Sequence, residues 1–155
     1  MKGSLWRHGD KVDQIEPGEW PERSGRARVL IEHPDPATVW AEAEAMRDAG
    51  YDVAVCAGPT RASDRTSKPT ACPLLVDGRC ALVDHADVVV STTDLGDSQR
   101  VLAALSRRET PALVVESTKP TLDRGDHELG DAVVVESPVT EGRLLEAVAD
   151  ALENR

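Results

Sequence analysis

The chain has 155 residues, a formal net charge of -10 at pH 7 and an isoelectric point near 4.8. This length fits one domain, and so acidic a surface repels nucleic-acid backbones and anionic membranes. No stretch approaches the roughly 18–20 consecutive apolar residues of a membrane helix, and the N-terminus lacks a secretory signal, so we expect a cytoplasmic protein.

Residues 1–27 are predicted to form an N-terminal extension, because Gly, Pro, Arg and Glu are mixed there without an apolar period. Trp6 and Trp20 are large apolar side chains within this polar segment. They favour an arm that packs on its own domain; docking on a partner or on a second copy is the alternative. Residues 28–155 are predicted to form the domain itself.

Five short runs rich in β-branched residues predict the strands of one parallel α/β sheet. They are Arg28–Glu32, Asp52–Cys56, Asp87–Ser91, Ala112–Glu116 and Asp131–Pro138. Because the chain contains no Phe and is only 3% aromatic, the core is expected to consist of Val, Leu, Ile and Ala side chains.

Three helices are predicted from apolar residues at helical spacing. The first runs to Ala49 with Asp35 as its N-cap, Pro36 at its first position and Gly50 as its stop. The second is capped by Asp97 or Ser98 and carries Val101, Leu102 and Leu105 on one face. The third follows the last strand over 139–153.

The segment between Cys56 and Ala86 is the least regular part of the predicted domain. Residues 57–71 predict a long surface loop. Asp77-Gly78 then indicates a hairpin turn between two apolar runs, and a short helix over 79–84 is an alternative. In either case an irregular insertion at 57–85 replaces a regular second helix.

Cys56, Cys72 and Cys80 leave several interpretations open. Their odd number argues against the paired disulfide framework of a secreted protein. Three thiolates with His85 or His33 would suit zinc, the same ligands would suit an iron–sulfur cluster, and two of the thiols could form a redox-labile disulfide. The spacing lacks Cys-x-x-Cys pairs, which favours buried, reduced thiols. The sequence also lacks the glycine-rich phosphate loops and the Gly-x-Ser-x-Gly turn of hydrolases.

The order and the junctions of these elements resemble the receiver domain of bacterial response regulators over about residues 28–153. The resemblance rests on the first strand with its acidic loop, on the starts of the second and third strands, and on the step from the fifth strand into the last helix. Those stretches are Val29-Leu30-Ile31-Glu32-His33-Pro34-Asp35-Pro36, Gly50-Tyr51-Asp52-Val53, Ala86-Asp87-Val88-Val89-Val90 and Ser137-Pro138 before Leu144-Leu145. The resemblance implies a flavodoxin-like, doubly wound five-stranded sheet of order 2-1-3-4-5.

Receiver domains transfer a phosphoryl group to an aspartate beside a divalent metal, with a hydroxyl and a lysine at the phosphoryl oxygens. The resemblance places the two metal-binding acids near His33 and Pro34, and the phosphorylated residue at Ser91 or Thr92. The hydroxyl falls on Ser117 and the lysine on Ser137. Only the hydroxyl position keeps its chemistry, which implies a pseudo-receiver without aspartyl phosphorylation.

Two interpretations of the remaining acids stay open. With Glu32 or Asp97, Asp35 and Asp94 could rebuild an acidic pocket in shifted register. Alternatively, Asp35 and Asp97 are helix caps and Asp94 is a turn residue.

The sequence thus favours a regulatory module that works through contact with a signalling protein. We expect no enzymatic activity, no cofactor and no bound nucleic acid. The resemblance implies a homodimer formed through the fourth and fifth βα units. Any small ligand would bind at the carboxyl ends of the strands. The residues expected there are His33, Asp35, Ser91, Thr92, Asp94, Ser117 and Ser137. The alternatives are a redox or metal sensor or a small thiol enzyme that uses the cysteines, and a small-ligand-binding domain.

Overall fold

A computed structural model of the chain describes residues 19–33, 35–56, 72–92, 96–117 and 131–155. Within these ranges, no helix combines the length and the apolar character that a membrane-spanning segment requires.

Five parallel strands form one sheet in the order β2-β1-β3-β4-β5, which confirms the predicted order. Their bounds are Arg28–Glu32 (β1), Asp52–Cys56 (β2), Val88–Thr92 (β3), Ala112–Ser117 (β4) and Val133–Glu136 (β5). All four neighbouring pairs are parallel. The strands are almost continuous runs of Val, Leu, Ile and Ala because helices cover both faces of the sheet.

Five helices accompany the sheet in the described ranges. Their bounds are Pro36–Asp48 (α1), Pro73–Asp77 (α2), Ala81–Asp84 (α3), Gly96–Ser106 (α4) and Glu141–Glu153 (α5). The predicted bounds of α1 and α5 are within two residues of the observed ones, and the predicted start of α4 is two to three residues late.

The side chains of each strand alternate between two core layers, one on each face of the sheet. In the α1/α5 layer, Ile31 and Val90 pack against Met46 of α1 and Leu144 of α5, with Trp40 at the margin. In the α2–α4 layer, side chains on the opposite face of the sheet, such as Leu30, pack against helices α2, α3 and α4. Trp20 lies at the margin of this layer. The core contains no Phe, as the composition requires, and Val supplies most of the fully buried strand positions.

The helix termini confirm one predicted cap and correct another. The Asp35 carboxylate accepts a hydrogen bond from the backbone N–H of Thr38 at 3.1 Å, so Asp35 is the N-cap of α1. The cap predicted at Asp97 or Ser98 is wrong, because α4 already begins at Gly96 and includes both residues. The capping preference of Asp and Ser extends into the neighbouring positions of a first turn, so sequence alone locates such a start only within one or two residues.

The hairpin predicted at Asp77-Gly78 is also wrong. The backbone N–H of Val76 donates to the Cys72 carbonyl at 3.0 Å, which is the bond of a helical turn. Gly78 has φ +72°, the left-handed conformation that ends a helix. The alternative of a short helix is close to the observed α3, and α2 and α3 together replace a regular second helix.

The described part of the N-terminal extension packs on the domain. The indole Nε1 of Trp20 donates to the backbone carbonyl of Leu82 at 3.1 Å, and the guanidinium of Arg28 lies 5.3 Å from the centre of the indole ring. Trp20 also contacts the α2–α4 layer. This supports the arm that packs on its own domain as far as Trp20; Trp6 lies outside the described residues, and the domain boundary at residue 28 remains a prediction.

Candidate functional site

The carboxyl ends of the five parallel strands meet at one edge of the sheet, where a doubly wound fold binds its ligands. Buried polar side chains collect at this edge although the rest of the sheet is apolar. They are Glu32, Ser91, Thr92, Glu116 and Ser117. They divide between the two faces of the sheet, because successive side chains of a strand point to opposite sides.

On the α2–α4 face, Glu32 at the end of β1 meets Ser91 near the end of β3. Ser91 Oγ donates a hydrogen bond to Glu32 Oε2 at 2.8 Å; Ser91 is 1% exposed and Glu32 is 4% exposed. A buried carboxylate needs such donors because water cannot reach it. Glu32 is therefore part of the folded interior.

The loop after β1 is organised by its own hydrogen bonds. The backbone N–H of His33 donates to the Cys56 carbonyl at 3.1 Å, and His33 Nδ1 accepts from the backbone N–H of Asp35 at 3.0 Å. Asp35 Oδ2 also accepts from Thr38 Oγ1 at 2.6 Å, and the two bonds from Thr38 lower the pKa of Asp35. The exposed Asp35 carboxylate thus caps α1, which favours the interpretation as a helix cap over the shifted acidic pocket. Pro34 and Asp94 lie outside the described residues.

On the α1/α5 face, Thr92 of β3 is paired in register with Glu116 of β4. Glu42 of α1 reaches the same place and shares a hydrogen bond with Glu116, so two buried carboxyl groups are in contact. Burial, the hydrogen bond with Glu116 and the negative charge of Glu116 raise the pKa of Glu42 to about 9. Glu42 therefore carries the shared proton at neutral pH, and its Oε2 has no hydrogen-bond partner among the described residues.

This carboxyl pair was not predicted from the sequence. One signal was available: Glu42 lies between Val39 and Met46 at helical spacing, on the buried side of α1. A glutamate in an apolar stripe indicates a buried acid, but the position of Glu116 opposite Glu42 depends on the assembled sheet.

Ser117 and Ser137 lie together at the β4–β5 end of the site. Ser117 is 1% exposed, it is paired with Glu136 in register, and its carbonyl accepts from the backbone N–H of Ser137 at 2.8 Å. Thr92, at the end of β3, is in register with Glu116, so Ser117 lies one position beyond that pair along β4. Ser137 is half-buried and is followed by a cis peptide bond to Pro138.

The three cysteines lie on one face of the domain. Cys56 ends β2, Cys72 precedes α2 and Cys80 precedes α3. Within the described residues none of the three is in a disulfide, and all three are partly buried and packed against the α2–α4 layer. His85 follows α3 and is exposed. In the described ranges, no three His, Cys, Asp or Glu side chains are grouped so that they could hold a metal ion. The geometry therefore adds no support to the zinc and iron–sulfur alternatives.

Comparison with known proteins rests on structure alone, since the sequence matches no family model and no curated protein. A CheY-like response regulator receiver domain protein from Methanospirillum hungatei superimposes with a TM-score of 0.59 at 18% identity, covering 83% of this chain and 95% of that one. The chemotaxis protein CheY4 of Vibrio cholerae gives a TM-score of 0.58 at 15% identity, over 82% of this chain and 99% of its own. The chain has the receiver fold.

An orphan response regulator of H. pylori shares this receiver fold as well, with a TM-score of 0.55 at 16% identity over 88% of this chain and 99% of that one. The alignment thus spans nearly the whole length of that protein's chain, although α2 and α3 are short. At these identities the likeness establishes the fold, and the roles of individual residues must be argued from the site itself.

Proposed function

We propose that the chain is a receiver-fold regulatory module of the cytoplasm that lacks aspartyl phosphorylation and acts through protein–protein contact, as a homodimer. The observation that carries this proposal is the hydrogen bond between Ser91 and Glu32. At the end of β3, where a receiver would present its reactive aspartate, this chain has Ser91 and Thr92, 1% and 2% exposed.

The chemistry of these groups argues against phosphoryl transfer at this edge. Acyl phosphate formation needs a carboxylate that can reach a phosphodonor, and a nearby cation that stabilises the charge of the transferring group. Glu32 is buried and holds the Ser91 hydroxyl, and Asp35 is committed to the first turn of α1. Ser137 supplies no ammonium group.

The second pair of acids supports the same conclusion. A magnesium ion prefers several ionised carboxylate oxygens. Glu42 and Glu116 hold a proton between them, so this pair presents one negative charge in place of two.

We expect no covalent phosphate after incubation with acetyl phosphate and Mg²⁺, as measured by intact-protein mass spectrometry. A receiver domain with its full set of acids, treated in the same tube, is the positive control. A stoichiometric mass increment of one phosphate on this chain contradicts the proposal, and peptide mapping would then show whether Ser91, Thr92 or an acid carries it.

The proposed dimer is tested by light scattering over a range of protein concentrations. We expect the molar mass to approach twice that of the chain as concentration rises, because the resemblance to receiver domains implies association through the fourth and fifth βα units. A mass that stays at one chain at the highest concentration contradicts the dimer and leaves the phosphorylation result unaffected.

A further inference from the structure

A groove on the opposite side of the molecule from α1 and α5 is unrelated to the strand ends. It lies between α2 and α4 and has a volume of about 500 Å³. Its lining residues are Leu74, Leu75, Gly78, Ala103, Ala104, Arg107 and Arg108. Leu74 and Leu75 of α2 line one side, with Gly78 just after that helix. Ala103 and Ala104 of α4 line the other side, and Arg107 and Arg108 follow the end of α4.

The shape of this groove follows from the shortness of α2. A five-residue helix and Gly78, which has no side chain, cover only part of the neighbouring face of α4. Ala103 is exposed and Ala104 is half-buried as a result. Val76 of α2, which does not line the groove, is 67% exposed, the one large apolar side chain so exposed among the described residues. Among the described residues, Ala103 and Ala104 thus stay partly exposed at a groove of a highly charged protein.

Charge distinguishes the groove from the rest of the surface. The chain carries a net charge of -10, but both charged residues that line the groove are arginines. Arg107 is exposed, and Arg108 Nη2 is held by Asp84 Oδ1 at 2.6 Å. Arg108 Nη1 is buried and has no hydrogen-bond acceptor within the described part of the chain. A carboxylate brought to this end of the groove would find one exposed guanidinium and one that is already oriented.

We propose that the groove between α2 and α4 binds an amphipathic helix of a partner protein, with apolar side chains on one face and acidic residues beside them. The groove is open, so it cannot enclose a small molecule as a ligand pocket does. An open groove between two helices, lined by leucine and alanine side chains with two arginines at one end, suits the helix-in-groove mode of recognition. The preceding loop, residues 57–71, is a poor occupant because it carries three basic residues against one acidic residue and no large apolar side chain.

This proposal rests on the proposed function in one respect, namely that the chain acts through protein contact. The test is an NMR titration of the full ¹⁵N-labelled chain with a synthetic helical peptide that has leucines on one face and glutamates on its flanks. A second peptide with lysine at every glutamate position is the matched probe. We expect the acidic peptide alone to shift the backbone amides of Leu75, Gly78 and Ala104.

Charge-reversal variants show whether the arginines determine the affinity. Arg107→Glu is expected to raise the Kd of the acidic peptide about tenfold, because it replaces a charge-assisted contact with repulsion. Arg143→Glu is the control, since Arg143 lies on α5, with its side chain 60% exposed, and does not line the groove. Circular dichroism confirms that both variants are folded.

Four outcomes would overturn the proposal. They are equal binding of both peptides, shifts that map outside the groove or no shifts at all, groove shifts produced equally by acetate alone, and groove shifts that appear on concentrating the protein without peptide. The third result assigns the arginines to small anions, and the fourth assigns the groove to a second copy of the chain. None of these results depends on the phosphodonor experiment, so the two proposals fail independently.

Discussion

The free energy of unfolding is expected to fall as the pH rises from 4.5 to about 9, because Glu42 keeps its proton in the folded protein over that range. In the unfolded chain, Glu42 loses its proton near its ordinary pKa of 4.5; in the folded protein, burial and Glu116 raise that pKa to about 9. Between these values the folded state binds more protons than the unfolded state, so stability decreases with pH. The contribution is complete below pH 4.5 and is lost by pH 9, and it is on the order of several kcal/mol.

The variant Glu42→Gln isolates this effect. Glutamine keeps an N–H donor for Glu116 but cannot ionise, so we expect a flatter pH dependence and a variant more stable than the parent near the upper end of the range. Urea unfolding at several pH values measures both. Glu44→Gln is the control, since Glu44 lies on the exposed side of the same helix. If Glu42→Gln keeps the slope of the parent, the two carboxyl groups do not share a proton.

Truncation of Leu144 to Ala is expected to lower the free energy of unfolding by about 2–5 kcal/mol. Leu144 is 1% exposed and anchors α5 in the α1/α5 layer, in the same cluster as Ile31 and Met46. Its removal leaves a cavity that parallel strands, held on both sides by their neighbours, cannot close. A two-state urea titration with a common m-value gives the difference directly.

Glu146→Ala is the control for this variant. Glu146 is on the same helix, its side chain is 69% exposed, and it forms an ion pair of 3.3 Å with Arg143. An exposed pair of this kind is worth well under about 1 kcal/mol. Comparable losses in the two variants would mean that burial of Leu144 does not stabilise the domain, because Ala is the better helix former at both positions.

The strands and long helices follow from local sequence because their burial repeats at fixed spacing. Val88 to Val90 are apolar on both faces of the sheet, and only a strand covered by helices on both sides tolerates that pattern. The order of the strands was available only from the resemblance to receiver domains, because the pattern of one strand does not identify its neighbours. The structure confirmed it.

The segment around Gly78 shows where local sequence is ambiguous. An Asp-Gly pair suits a hairpin turn and the end of a helix equally, because both require a residue with positive φ. The choice is made by Leu74 and Leu82, which reach the α2–α4 layer only if the chain turns as two short helices.

The site was harder to predict than the fold. His33, Ser91 and Ser117 lie at the expected edge, but Glu42 and Glu116 meet from elements 74 residues apart. Their contact depends on how α1 lies on the sheet, which no spacing within either element encodes. Likewise, Glu32 looks like a surface acid of an edge loop until Ser91 is placed beside it.

The positions of two tryptophans give the molecule a useful optical property. Trp40 borders the α1/α5 layer and Trp20 borders the α2–α4 layer, while neither layer contains Phe. Each side of the sheet consequently has its own indole. With Trp6 replaced as well, substituting Trp20 or Trp40 would leave a single indole, whose emission reports the melting of its own half of the interior.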